Sequence, residues 1–202
     1  MRPSLLTISL YIIGLCLPQS AQSQSAVYPK PGTVFDRKLH TIQLWIHPDS
    51  LNQMLLKEYG HVSPERLLSG PGLEAIYKAL ALYRQQVAEP LSAAEIARLA
   101  LSGQSSLAVD TVQQFFASLG SVAGNLALTL STFGGVYIAG GIVPKLLPLL
   151  ADSEFRARFE AKGRFSAFNR QIATYVVTAE QPGLVGAAVY LNQFLASNEY
   201  GI

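Results

Sequence analysis

Apolar residues recur every three or four positions over most of the chain after Ser50, which is the spacing of amphipathic helices. On this pattern we predict helices over residues 51–60, from Pro71 onward, from Ser92 to Gly103, over about 106–131, around 154–161, and over 183–195, the last one amphipathic. The helix starts carry suitable residues, because proline fits a first helical turn and Glu95 lies three residues after Ser92, as in a capping box. The chain beyond Ser50 is therefore predicted to be rich in helix.

Two short runs with β-branched residues interrupt the helical pattern. Residues 136–139 lie between the glycine pairs Gly134-Gly135 and Gly140-Gly141, and residues 174–177 form the second run. Short apolar runs bounded by glycine are typical of buried strands. Between the two runs Pro144 starts a helical segment, which Pro148 keeps short or kinked. The order of helices, strand, helices, strand and helix predicts an α/β fold.

The first 50 residues differ from the rest and are predicted to form a separate segment. Residues 1–25 have the layout of a secretory signal, with one charge at Arg2, an apolar run over 5–17 and a polar Ser/Gln-rich stretch after it. The apolar run is too short for a bilayer span, which needs about 20 residues. Residues 26–50 have no sustained period and are predicted to be a linker. The folded domain is thus assigned to residues 51–202.

Composition and charge narrow the functional classes. The chain has 15 basic and 13 acidic residues among 202, with no block of like charge, so nucleic acid is not an expected partner. Charged residues make up 14%, against about 25% in an average soluble domain, which predicts either a membrane segment or an unusually apolar core. With one cysteine and no histidine pair at helical spacing, the sequence predicts neither a disulfide nor a metal site.

Two places carry candidate chemistry. Gly140-Gly141 follows a predicted buried strand, where ligands collect in α/β sheets and where glycine lets a planar base approach the main chain. A tight turn without a ligand explains the same pair. Glu65 could accept hydrogen bonds from sugar hydroxyls, since a carboxylate is an acceptor with two oxygens. A glutamate stabilised by a helix start after Ser63-Pro64 is the alternative.

Several stretches resemble bacterial glucokinases in sequence and in order along the chain. They are HVSPERLLSGPGL at 61–73, GNLALTL at 124–130, TFGGVYIAGGIVP at 132–144, FR at 155–156, FE at 159–160, KGRF at 162–165 and PGLVG at 182–186. The resemblance covers residues 51–194 and is closest over 132–144. No such resemblance exists in residues 1–50.

The resemblance implies an actin-like, hexokinase-type (ribonuclease H-like) fold, of which this chain carries the helix-rich large lobe and an incomplete small lobe. It implies ATP-dependent phosphorylation of glucose to glucose 6-phosphate, with Mg²⁺, in the cytoplasm and with no membrane association of the mature protein. By the same analogy Glu65 binds glucose hydroxyls, and Gly140 and Gly141 contact adenosine. Members of the family commonly dimerise, so a homodimer is an assembly that the resemblance implies.

The chain also departs from the family pattern. The phosphate-binding motif Asp-x-Gly-Gly-Thr-Asn, the Asn-Asp pair with the catalytic base, the second phosphate loop and the Gly-Glu-Gly-Gly-His sugar motif have no counterpart here. Phosphoryl transfer depends on such groups to position the substrates and to take the proton. No catalytic residue is therefore assigned, and we expect the chain alone to be inactive.

Three interpretations stay open at this point. The first is a cytoplasmic glucokinase that is truncated, by an interrupted gene or by a first segment from a shifted reading frame. The second is an exported, non-catalytic module that binds a sugar or a nucleotide. The third keeps the kinase and changes the sugar, because one retained contact does not define hexose specificity. The first is favoured, since the specific motifs belong to ATP chemistry.

Overall fold

The computed structural model describes Tyr11–Gly14 and residues 49–198, with side chains described for residues 53–195. Its α-helices are α1 (Asp49–Tyr59), α2 (Pro64–Leu67), α3 (Gly70–Tyr83), α4 (Ala93–Leu101), α5 (Ser106–Leu130), α6 (Leu147–Leu150), α7 (Phe155–Glu160), α8 (Ser166–Arg170) and α9 (Pro182–Asn198). Its strands are β1 (Tyr11–Gly14), β2 (Val136–Ala139) and β3 (Thr174–Val176). Residues 26–48 of the predicted linker 26–50 and most of the signal-like stretch lie outside the described residues, whereas Asp49 and Ser50 belong to α1 and not to a linker.

The predicted helix starts are confirmed by their capping contacts. Ser69 accepts a hydrogen bond from the Gly72 amide at 3.1 Å, with Pro71 in the first turn of α3. At α4 the Ser92 amide donates to Glu95 Oε2 at 2.8 Å and the Glu95 amide donates to Ser92 Oγ at 3.3 Å. The Ser92 hydroxyl also donates to Glu95 Oε2 at 2.6 Å, and this bond, together with the one from the Ser92 amide, holds the pKa of the Glu95 carboxyl below its usual value. Local signals therefore fix where α3 and α4 begin.

Helix α5 forms the centre of the core. Of its 25 residues, 15 are buried, and helices α3, α4, α7 and α8 pack around it. Its largest buried side chains are Phe115, Phe116 and Leu119, the first two in an edge-to-face contact. The single charged residue of α5, Asp110, pairs with Arg84 at the end of α3. The apolar excess in the composition thus lies partly in a helix that is covered on most sides.

Two glycines let α5 and α7 approach each other closely. A Cβ atom on Gly120 would lie less than 3.0 Å from the carbonyl oxygen of Phe155, and one on Gly124 would lie equally close to that of Phe159. Asn169 links α5 and α7 at the same place, because its Nδ2 donates to the carbonyls of Gly124 at 3.0 Å and Phe159 at 2.7 Å. Both glycines are therefore required by backbone contact between the helices.

The sheet has three strands in the order β1-β2-β3. Strand β2 pairs antiparallel with β1, with Tyr11 opposite Ala139, and parallel with β3, with Val136 opposite Thr174. Tyr137 and Tyr175 stack across β2 and β3 with ring centroids 4.9 Å apart. Both predicted strands are confirmed, whereas β1 comes from the run predicted to be a signal.

The segment after β2 is helical but broken, as Pro144 and Pro148 predict. A 3-10 helix covers Val143–Leu146 and the single turn of α6 follows it. Both elements have proline at their first positions, where the missing amide hydrogen costs nothing.

Helix α9 exists as predicted, but none of its described residues from Gly183 to Leu195 is buried. An amphipathic helix would cover one side against the core, and this one exposes leucine, valine and tyrosine side chains instead. In the described part of the chain no helix is both long and apolar enough to cross a membrane.

Replacing Gly120 with alanine should destabilise the fold by about 3 kcal/mol, the upper range for overpacking, because the new methyl group meets backbone atoms of α7. Urea denaturation followed by circular dichroism measures the change. Gly186→Ala is the matched control: a Cβ there meets open space within a helix, so stability should stay equal or rise by up to about 1 kcal/mol. Equal stability of the two variants would contradict the close helix contact.

Between pH 8 and 9.5 the free energy of unfolding of the chain should rise relative to that of the Lys162→Met variant. Burial lowers the pKa of Lys162 to about 8, and its Nζ donates to the Ser121 carbonyl at 3.0 Å. Above this pKa the folded state has lost a proton that the unfolded state still holds, so raising the pH favours folding. Urea midpoints at several pH values measure the effect. Parallel curves for the two proteins would show that Lys162 is not desolvated.

Candidate functional site

The corner that follows strand β2 is built from glycine. Gly140 has a φ of +129°, a region that residues with a Cβ rarely adopt, and Gly141 beside it is exposed. Ile142 and Val143, the next two residues, are buried again. The main chain therefore leaves the core at this corner for two residues only.

The residues on both sides of the glycine corner are held in place by the sheet and by the core. Ile138 is fully buried, and its carbonyl accepts a hydrogen bond from the Val177 amide at 2.9 Å. On the other side Val143 and Leu146 anchor the 3-10 helix in the core. Because β2 and β3 are parallel, their carboxyl ends meet at this edge, where ligands bind in open α/β sheets.

Glu65 lies in the first turn of α2, with an exposed side chain. It makes no hydrogen bond or ion pair with another described residue. Pro64 and the Ser63 cap, which accepts from the Arg66 amide at 3.3 Å, fix the start of this turn. Leu67 anchors the same turn, since it is fully buried. The carboxylate is therefore presented to solvent from a well-anchored backbone.

The corner between α2 and α3 is equally constrained. A Cβ atom on Gly72 would lie less than 3.0 Å from the carbonyl oxygens of Arg66 and Leu67, so the two helices meet backbone to backbone. The Arg66 guanidinium lies over the Tyr59 ring at 4.4 Å and not beside the Glu65 carboxylate. Glu65 thus keeps both oxygens available as acceptors.

The two candidate places belong to different elements. Helix α2 packs on α3 and α5, whereas the glycine corner continues from the sheet. Within residues 53–195 no hydrogen bond or ion pair links Glu65 to residues 140 and 141. In the same range no group of three or more histidine, cysteine, aspartate or glutamate side chains could hold a metal ion. A shallow groove of about 470 Å³ near Tyr77, Leu99 and Leu107 is lined by other residues.

Arg156 was not singled out from the sequence, yet it supports the glycine corner. Its guanidinium donates from Nη1 to the Ile172 carbonyl at 2.9 Å and from Nη2 to the Arg170 carbonyl at 3.0 Å. Its Nε also donates to Glu160 at 2.6 Å. These bonds fix the turn that leads into β3, the strand beside β2. The signal in the sequence was the pair FR at 155–156, which carries no information about partners more than ten residues away.

The fold and the corner together define a class of protein. A helix-rich lobe built on a buried central helix, with a mixed sheet whose parallel strands end at a glycine corner, is a partial hexokinase-type α/β fold. The solved structure of a glucokinase from an Antarctic psychrotroph is similar to it, with a TM-score of 0.67 and 41% identity, over 72% of this chain and 45% of that one.

Comparisons of sequence identify the family. The family model described as Glucokinase matches residues 47–194. The glucokinase of Colwellia psychrerythraea is 53% identical over 146 residues, which are 70% of this chain and 44% of that protein. The glucokinase of Psychromonas ingrahamii is 50% identical over 147 residues, 73% of this chain and 46% of that protein. The chain belongs to the glucokinase family, and it spans less than half the length of these relatives.

Proposed function

We propose that this chain is the part of a glucokinase that contacts the adenosine of ATP and the hydroxyls of glucose. In a complete enzyme these contacts serve ATP-dependent phosphorylation of glucose to glucose 6-phosphate. The observation that carries the proposal is the glycine corner at the carboxyl end of β2, within residues that match the family. The chain by itself does not carry out the reaction.

The shape of the corner supports contact with adenosine. Gly140, which is partly buried, and Gly141, which is exposed, place main chain without side chains after the end of β2, and a planar base with its ribose can lie against such a surface. The buried residues on both sides keep the corner from collapsing. The residues present therefore fit the adenosine end of the nucleotide.

Within the described residues there is no comparable binding site for the phosphates of ATP or for Mg²⁺. No acidic cluster is available for a metal ion there, and the family's phosphate-binding motifs are absent from the sequence. Phosphoryl transfer requires charge neutralisation at the phosphates and a base at the attacking hydroxyl. We therefore assign no catalytic step to this chain.

The exposure of the Glu65 carboxylate supports a role in sugar binding. Its carboxylate is exposed and has no partner among the described residues, so glucose hydroxyls could donate to both oxygens. A glutamate that served only to stabilise a helix would act on the dipole of a four-residue helix, which is small. Sugar binding therefore explains an exposed carboxylate on an anchored turn better than helix stabilisation does.

A cytoplasmic location is part of the same proposal, because ATP is the phosphoryl donor of the reaction. The alternative, an exported module that binds a sugar or nucleotide without catalysis, rests on residues 1–25. Apart from Tyr11–Gly14, that stretch lies outside the described residues, and the motifs shared with glucokinases favour the enzyme.

Purified chain should form no glucose 6-phosphate from glucose and MgATP, because it lacks the catalytic base and the phosphate loops. A coupled assay with glucose 6-phosphate dehydrogenase measures product. A complete glucokinase such as that of Colwellia psychrerythraea is the positive control. ATP-dependent product formation by the chain alone would contradict this part of the proposal.

Gly141→Val should weaken binding of a fluorescent adenine nucleotide at least about tenfold, or 1.4 kcal/mol, because the side chain fills the space where the base lies. Fluorescence anisotropy gives the dissociation constants. Ala151→Val adds the same branched group at another exposed position and should leave binding unchanged. Equal affinity of both variants, or no binding by the parent chain, would remove the corner from the nucleotide site.

A further inference from the structure

A groove lies between α3, the loop that follows it and the start of α5, and we call it the α3–α5 groove. Its volume of about 470 Å³ falls within the roughly 300–1,000 Å³ of small-molecule pockets. Neither Glu65 nor the glycine corner lines it. Part of its lining is apolar, from Val87, Leu91 and Leu99, and part is polar. The groove is therefore a place for a small ligand with both kinds of surface.

Tyr77 brings a buried hydroxyl to the α3–α5 groove. Its side chain exposes only 6% of its surface, it lines the groove, and its hydroxyl makes no hydrogen bond with another described residue. Burial raises the pKa of Tyr77, and the Glu89 carboxylate, which also lines the groove, raises it further. The carboxylate is thus close enough to act on the hydroxyl. A buried hydroxyl without a partner costs free energy, so a ligand that bonds to it is favoured.

Glu89 gives the same part of the groove a negative charge. Its side chain is exposed and makes no hydrogen bond or ion pair with another residue of the range 53–195. No lysine, arginine or histidine is among the described residues that line the groove. Carboxylate and hydroxyl oxygens both accept hydrogen bonds, and an ammonium group offers three donors. Glu89 and Tyr77 together therefore suit an ammonium group.

The start of α5 favours the opposite charge. Ser105 caps this helix of 25 residues, because its Oγ accepts from the Ala108 amide at 3.2 Å and its carbonyl accepts from the Val109 amide at 3.0 Å. The amides of Ser106 and Leu107 lie in the first turn, where a helix offers no acceptor of its own. Both residues line the groove. Such amides, at the positive end of the helix dipole, suit a carboxylate.

We propose that the α3–α5 groove binds a free α-amino acid with an apolar side chain of about the size of leucine. Its ammonium group donates to Glu89 and Tyr77, and its carboxylate accepts from the first-turn amides of α5. Its side chain lies against the apolar lining. A simple anion or cation would satisfy only one of the two charged contacts, whereas a zwitterion satisfies both. This site is separate from the proposed contacts with glucose and adenosine and does not depend on them.

The test titrates L-leucine into the purified, isotope-labelled full chain and follows the backbone amides by NMR. Saturable shifts at Ser106 and Leu107 are expected, with a dissociation constant of about 1 mM or lower. Leucinamide lacks the carboxylate and N-acetyl-L-leucine lacks the ammonium group, so each should bind at least about tenfold more weakly. Glycine keeps both charges but has no apolar side chain, and it should also bind more weakly than leucine.

Glu89→Gln should weaken leucine binding at least about tenfold and Tyr77→Phe about threefold, because each removes a contact to the ammonium group. Glu180→Gln and Tyr83→Phe are the matched controls, since both residues are exposed and neither lines the groove. These two variants should bind leucine like the parent chain. Urea denaturation should show no loss of stability for Tyr77→Phe, because the hydroxyl that it removes has no partner within the described residues.

Three outcomes would overturn the proposal: no saturable shifts with leucine, equal binding of leucine and any of the three analogues, or unchanged affinity in Glu89→Gln. Shifts that centre on Glu65 or on the glycine corner would also overturn it, because leucine would then occupy another place. Weakened binding in Glu89→Gln and Tyr77→Phe, with normal binding in both controls, supports the α3–α5 groove as the site.

Discussion

The close contact between α5 and α7 is the constraint on which the rest of the structure depends. Gly120 and Gly124 let the α7 backbone lie directly on the central helix, and Asn169 fixes α8 against both. This placement sets α7 so that Arg156 can bind the carbonyls leading into β3. Strand β3 then pairs with β2, and the end of β2 is the glycine corner. A small change in helix spacing would therefore shift the corner, although the two places are distant in the sequence.

Local signals in the sequence predicted α1, α3, α4, α5 and α7, because such signals act within a few residues, whereas the short helices α2 and α8 were not predicted. The capping box at Ser92 and the long apolar stripe that became α5 need no knowledge of the fold. The bonds from Arg156 to the carbonyls of Arg170 and Ile172 could not be predicted in this way, since these acceptors lie 14 and 16 residues further on. The strand over Tyr11–Gly14 was missed for a related reason: an apolar run has the same composition whether it is a signal or a strand, and only its pairing with β2 distinguishes the two.

The sequence was enough to choose the candidate site residues, but it gave less information about how they are placed in the fold. A glycine pair after a buried run indicated the corner, and the positive φ of Gly140 gives the physical reason for the first glycine. For Glu65 the sequence left the choice between a sugar contact and a helix-start residue open, and the structure adds that the carboxylate is exposed on an anchored turn. How far Glu65 is from the corner depends on the packing around α5, which no local pattern encodes.

Two helices, α5 and α9, explain why the chain has so few charged residues. Part of the apolar excess lies in α5, where other helices cover it, and part lies in α9, where nothing within residues 53–195 buries it. Both helices lower the charged fraction, since α5 carries one charged residue and α9 carries none. Composition therefore could not distinguish a membrane segment from helices of these two kinds, because it does not encode which neighbouring elements cover a helix.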